Sequence, residues 1–263
     1  MVRITASEDG TDREYHTSLN LDRACEVAYA ISVVTGISLV VPQIAESPAI
    51  EGVALFQVLA VLACVLLGAV DDVSFWYRAE RKNRAHAFKD ALGADVADTS
   101  CPQGYYSNGL PQSCARYAAD IMESAFYTKA ISYRMISREA IIAAIALGLL
   151  IAIFCCGPTA LLWPIALQTV MSAHCVIGCV NCIVFFNRVD YLYRGLYRLL
   201  VSEGIGTKEQ LAEAVFLAQE YEVVKAHYKV RLSTKVFNTN KDSLDAKWQV
   251  ISRKIKASPN IQL

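Results

Sequence analysis

The chain has 263 residues, of which 54% are hydrophobic and 19% charged. Lys and Arg number 25 and Asp and Glu number 25, so the formal net charge is zero. That balance excludes a globally basic nucleic-acid binder, with a nucleic acid duplex as partner, and a highly charged disordered chain.

Residues 1–23 are polar and acidic, without the apolar core and small-residue cleavage site of a secretory signal. Nine cysteines follow along the chain. Cys25, Cys64, Cys155, Cys156, Cys175, Cys179 and Cys182 lie in or beside apolar runs, and only Cys101 and Cys114 lie in a polar segment. The number is odd and the placement is not that of a secreted disulfide framework, so a reducing compartment is expected for the polar parts.

Two apolar runs come first. Ala24 to Ile44 carries one charge, Glu26, and Gly52 to Val70 carries none. A bilayer span needs about 20 apolar residues. Ala140 to Phe186 then runs for 47 residues without an Asp, Glu, Lys or Arg. As one straight helix it would be ~70 Å long, at ~1.5 Å per residue. A hydrocarbon core is only ~30 Å thick. The run must therefore fold back, at Gly157-Pro158 through Pro164. Backbone groups in lipid must bond internally, so these runs are helices. The expected fold is an all-α integral membrane protein with four transmembrane helices in two hairpins and cytoplasmic helical extensions. Its divisions are an N-terminal segment (1–23), a first hairpin (24–72), a helical insert (73–139), a second hairpin (140–186) and a helical tail (187–263).

The basic residues set the orientation. Three precede the first run, nine lie in the insert and thirteen in the tail, while the tips Pro42 to Glu51 and Gly157 to Trp163 have none. Both termini and the insert are expected in the cytoplasm.

In the insert, the helix is expected to run on past Asp71-Asp72, through the aromatic belt Val73 to Tyr77, to Leu92. A loop rich in Pro, Gly and Tyr spans Thr99 to Pro111, and a helix is expected over Gln112 to Arg138. In the tail, Gly204 and Gly206 end the helix that continues the last span. Thr207-Lys-Glu-Gln210 is a capping box for a helix over about Lys208 to Leu232. A turn is expected at Asn238 to Asn240, with a last helix over Ser243 to Lys256.

Several groups could carry function. Gln168, Ser172, His174 and Asn181 are polar groups inside the last span, and they either line a pore formed by oligomers or hydrogen-bond between helices. Cys175, Cys179 and Cys182 share a face and read as small packing residues, with Cys182 placed for palmitoylation at the membrane edge. Asp71 and Asp72 could serve a lipid-modifying enzyme by holding a metal, but the supporting carboxylates are missing and interfacial solvation is the favoured reading. The basic stretch Arg78 to Arg84 faces anionic lipid head groups. Alternatively, Arg81 and Arg84 join Tyr105, Tyr106, Arg116 and Arg134 in a pocket for an anionic nucleotide. No phosphate loop, dinucleotide fingerprint, nucleophile elbow or zinc-protease motif occurs, so neither catalysis nor a cofactor or metal is expected.

Three stretches then carry a resemblance: Arg81-Lys-Asn-Arg-Ala-His-Ala-Phe-Lys-Asp90; Gly104-Tyr-Tyr-Ser with Pro111 and Cys114-Ala-Arg116; and Ser132-Tyr-Arg134 before the third span. With the two outward hairpins, they resemble the SMODS-associating four-transmembrane effectors of CBASS-like bacterial antiphage systems. The resemblance implies a dormant homo-oligomer in inner membrane lipids. It implies switching by a cyclic nucleotide from a neighbouring nucleotidyltransferase, or by a partner, and disruption of the membrane as the outcome. The other expectations are a small four-span channel or transporter, and the lipid enzyme using Asp71 and Asp72.

Overall fold

The computed structural model describes residues 10–40, 50–94, 96, 106, 109–156 and 162–257. Among these residues every regular element is helical: α1 (Gly10–Val40), α2 (Ile50–Val70), a π-helical turn (Asp71–Trp76), α3 (Tyr77–Leu92), α4 (Cys114–Cys156), α5 (Leu162–Tyr197), a second π-helical turn (Arg198–Glu203), α6 (Lys208–Tyr228) and α7 (Thr234–Ala257). The chain forms two compact units. The first comprises Met1–Thr11, Glu80–Ser137 and Asn181–Leu263, and the second Asp12–Ala79 and Arg138–Val180.

Among the described residues three helical stretches, not four, are long and apolar enough to cross a membrane: Glu51–Leu92, Cys114–Ala152 and Thr169–Glu203. By length and composition they are candidate membrane spans. The expected first span is not among them. α1 begins at Gly10 rather than near Ala24, and Asp12, Arg13, Glu14, Asp22, Arg23 and Glu26 make its first half polar. The rest of that apolar run, residues 41–44, lies outside the described residues.

The second unit inverts the usual arrangement of side chains. Val27, Ile31 and Val34 of α1, Leu55, Phe56, Leu59, Leu62 and Leu66 of α2, and Ile141, Ile145 and Ile151 of α4 are exposed. Ala28, Ala60, Val61, Ala143 and Ala146 are buried, together with Ser32, Gln57 and Ser172. Large apolar residues outside and small or polar residues inside suit a hydrocarbon solvent. Thr35 and Ser38 turn their hydroxyls back onto the carbonyls of Ile31 and Val34, both at 2.9 Å, which satisfies them without a partner helix.

The first unit has an ordinary aromatic core built on Tyr127, Phe185, Leu196, Leu199, Tyr221 and Trp248. Gly195 lets α5 and α6 approach closely: a Cβ there would lie 2.8 Å from Leu217 Cδ1. Ser113 caps α4 through the Arg116 N–H, close to the expected start. The expected capping box is present, with the Thr207 hydroxyl accepting from the Gln210 N–H and Gln210 Oε1 accepting from the Thr207 N–H. α6 stops at Tyr228, where Lys229 takes a left-handed conformation, short of the expected Leu232.

The tail corrects one expectation. Asn238 to Asn240 is not a turn but the interior of α7, which starts at Thr234. Ser233 accepts from the Val236 N–H at the helix start. Thr239 and Asn240 bond back to the carbonyls of Lys235 and Val236 at 2.9 and 2.7 Å. Their polar groups are thereby satisfied within the helix, while Phe237, Leu244, Trp248 and Ile255 are buried. Burial of that stripe overrides the turn propensity of Asn.

Thr207→Ala removes one side of the capping box and is expected to destabilise the first unit by about 1 kcal/mol. Chemical denaturation of the detergent-solubilised protein, followed by far-ultraviolet circular dichroism, measures it.

Candidate functional site: a buried ion cluster and a buried polar layer

Each unit holds a polar centre that the sequence does not advertise. In the first unit, Glu80 of α3 meets Lys225 of α6, with Nζ 2.9 Å from the carboxylate. Glu222, one turn earlier on α6, stands 3.7 Å from the same ammonium. The three residues are only 5%, 9% and 8% exposed for Glu80, Lys225 and Glu222. Tyr221 places its ring centroid 5.6 Å from Lys225 Nζ, and its hydroxyl shares a 2.8 Å hydrogen bond with Thr128 of α4. The cluster thus ties three helices together.

Burial works against the Lys225 ammonium, but the carboxylates of Glu222 and Glu80 outweigh it and hold the pKa above the ordinary lysine value. Burial likewise raises Tyr221 above the usual phenol range, with Lys225 opposing and Glu222 adding to the rise. A lysine raised in this way stabilises the fold at every pH below its unfolded value and loses that contribution only as pH rises through the folded value. Neither group exchanges protons near neutrality, so the cluster acts as a fixed electrostatic tie. Its members come from positions far apart in sequence, and Glu222 and Lys225 look like an ordinary i,i+3 surface pair until α3 is packed beside them.

The residues expected to hold a nucleotide are placed as follows. Arg116 bridges Asp90 at 3.0 Å and donates to the Leu110 carbonyl at 2.9 Å, so its charge holds the segment before α4 against α3. Arg84 donates to the Glu80 carbonyl at 3.3 Å and is half-buried. Tyr106 is buried. Arg81 and Arg134 are exposed, and Arg134 bonds back to the Ala130 carbonyl at 3.1 Å. Tyr105 lies outside the described residues. The basic stretch Arg78 to Arg84 includes exposed Arg78 and Arg81.

In the second unit the centre is a layer. Helix α1 is ~46 Å long and the nine residues before α2 reach at most ~32 Å, so with Cys25 beside Cys64 α2 runs back along α1. The Cys25 thiol contacts the Cys64 carbonyl at 3.6 Å and fixes the register. Two turns further along α1 is Ser32, and two turns back along α2 is Gln57. The Ser172 hydroxyl donates to the Ala146 carbonyl at 3.0 Å between α4 and α5. Tyr29 of α1 hydrogen-bonds Cys175 of α5, which brings Ser172, three residues earlier, to the level of Ser32. Ser32, Gln57, Ala146 and Ser172 are all essentially sealed from the surface. The Gln57 amide oxygen and nitrogen and the Ser32 hydroxyl have no hydrogen-bond partner.

Of the three expected pore-lining groups whose side chains are described, Ser172 belongs to this layer. His174 is exposed, Asn181 is half-buried in the first unit, and Gln168 lies on α5 with its side chain outside the description. Ser172 and His174 therefore face different ways. Cys179 and Cys182 are buried, and the Cys182 thiol points to the Ser132 carbonyl at 3.9 Å. Asp71 is buried at the start of the first π-helical turn and Asp72 is half-buried beside it. Among the described residues no group of three or more His, Cys, Asp or Glu could hold a metal ion.

No protein-family model, curated protein or solved structure matches the chain.

Two substitutions separate the centres. Lys225→Met leaves two buried carboxylates without their cation and is expected to cost roughly 3–5 kcal/mol. Gln57→Leu replaces an unsatisfied amide by an apolar group and is expected to stabilise by about 1–3 kcal/mol. Thermal unfolding in detergent reads both, with opposite signs.

Proposed function

We propose that the chain is a membrane-embedded effector of a bacterial antiphage defence system. It crosses the inner membrane four times, with the apolar half of α1 as the first span and both termini in the cytoplasm. A nucleotide second messenger or a partner switches it, and it then forms pores or disrupts the membrane as a homo-oligomer. The observation that carries this reading is the layer of Ser32, Gln57 and Ser172. An amide buried without a partner costs roughly 2–7 kcal/mol on transfer from water to an apolar medium. Any arrangement that admits water to the layer recovers part of that cost. A packed state that carries such a penalty lies closer in energy to an open one, and a modest ligand preference can then change which is populated.

The resemblance at Arg81 to Asp90, Gly104 to Ser107 and Ser132 to Arg134 supplies the trigger class. The ion cluster of Glu80, Glu222 and Lys225 joins α3, α4 and α6, the helices that a signal from the polar unit must move.

The test is leakage. The protein is reconstituted in liposomes loaded with a self-quenching dye, and cyclic di- and trinucleotides are added. The expected result is dye release that depends on one nucleotide class and falls at least tenfold in Gln57→Leu. Release without any nucleotide would point to a constitutive channel. Intact liposomes with every nucleotide, together with an undisturbed membrane potential in cells expressing the chain with its nucleotidyltransferase, would overturn the proposal. A reporter that works only in the cytoplasm, fused after Leu263, is expected to be active.

A further inference from the structure

The cysteine stripe on α5 draws attention in the sequence, but the structure brings together a different pair. Cys25 and Cys64 are 39 positions apart, and the Cys25 thiol sits 3.6 Å from the Cys64 carbonyl. The two thiols also lie close enough to influence each other. Neither is in a disulfide and both are half-buried. They lie at nearly equal distances from the middle of the segment that joins α1 to α2, as opposed residues of an antiparallel pair do. Charged groups stand close by. Asp22 acts on Cys64, and Glu26, next to Cys25, bridges Arg138 at 2.7 Å. The pair therefore lies on the side of the second unit that carries Asp22, Glu26 and Arg138. A third thiol, Cys175, is near enough to feel Cys64 but is engaged by the Tyr29 hydroxyl.

We propose that Cys25 and Cys64 are a site of reversible oxidation, closing an intramolecular disulfide that ties α1 to α2. The oxidant is a peroxide. One thiolate attacks a peroxide oxygen, the O–O bond breaks, and a sulfenic acid and water (or an alcohol) result. The second thiol then attacks the sulfenic sulfur, the S–S bond forms, and the hydroxyl leaves with a proton as water. Two sulfurs are oxidised and one peroxide is reduced. A dithiol reverses the step by exchange. A disulfide needs the two Cβ atoms within about 4.5 Å, and the 3.6 Å approach of the Cys25 thiol to the Cys64 main chain brings the two residues side by side. Closure would pin the register that sets Gln57 beside Ser32, two turns deeper. This inference does not depend on the defence reading, because it concerns the chemistry of the hairpin alone.

The full-length protein in native membranes is treated with graded hydrogen peroxide, its remaining thiols are alkylated, and it is digested without reduction. Mass spectrometry is expected to find a peptide linking Cys25 to Cys64, with two of the nine thiols lost per chain and both restored by dithiothreitol. Cys25→Ser and Cys64→Ser should each abolish the linked peptide, whereas Cys175→Ser should leave it. Wild-type mapping decides the matter even if a variant folds poorly. A link from Cys64 to Cys175, a link between chains, or both thiols still alkylatable when exposed Cys114 is fully oxidised would overturn the proposal.

Discussion

Hydrocarbon offers no hydrogen bonds, and the second unit is organised around that fact. A helix satisfies its own backbone, so only side chains remain to be placed. Leucine, valine and phenylalanine of α2 and isoleucine of α4 can face outward at no cost in lipid, although the same surface in water would be a large apolar patch. Small residues are then left for the inside, where Ala28, Ala60, Ala143 and Ala146 let helices approach. Polar side chains must either bond back to their own helix or be buried. Thr35 and Ser38 take the first course, and Ser32, Gln57 and Ser172 the second.

The first unit solves the opposite problem. Its aromatic residues are gathered inside, and hydrogen bonds and ion pairs fasten the helices around them: Tyr127 to Asp245, Arg198 to Glu213, Lys129 to Asp190. The Glu80–Lys225–Glu222 cluster is the most buried of these ties. Surface pairs contribute little because water competes for both partners. This cluster is shielded from water, and losing one member exposes the others to the full penalty of an uncompensated charge. That makes it a strong constraint on how α3, α4 and α6 can move.

Much of this was legible in the sequence, and the rest was hidden for identifiable reasons. The uncharged run from Ala140 to Phe186 announced helices long enough for a membrane. Thr207 and Gln210 announced the start of α6 because a cap is a local device. The helix through Asp71 was readable because nothing in Val73 to Leu92 breaks it. Asn238 and Asn240 misled because their turn preference is local, while the burial that overrides it comes from the packing of Trp248 and Ile255. The start of α1 was missed because its first half is polar, and composition alone marks only the apolar half. Gln57 passed unremarked as one amide in an apolar run, since its consequence depends on which face of α2 is buried. Arg116 looked available for a ligand, and only the packing of Asp90 beside it shows where its charge goes.

The central claim is that α2 and its neighbours turn their large apolar side chains to hydrocarbon and their polar ones to each other. Nitroxide labels placed singly at Leu55, Leu62, Ile145 and Gln57 in bilayer-reconstituted protein test it directly, by comparing collisions with oxygen and with a water-soluble nickel chelate. The account predicts that the labels at Leu55, Leu62 and Ile145 collide with oxygen far more than with the chelate, and that the Gln57 label is shielded from both. Ready access of the chelate to Leu55, Leu62 and Ile145 would contradict it.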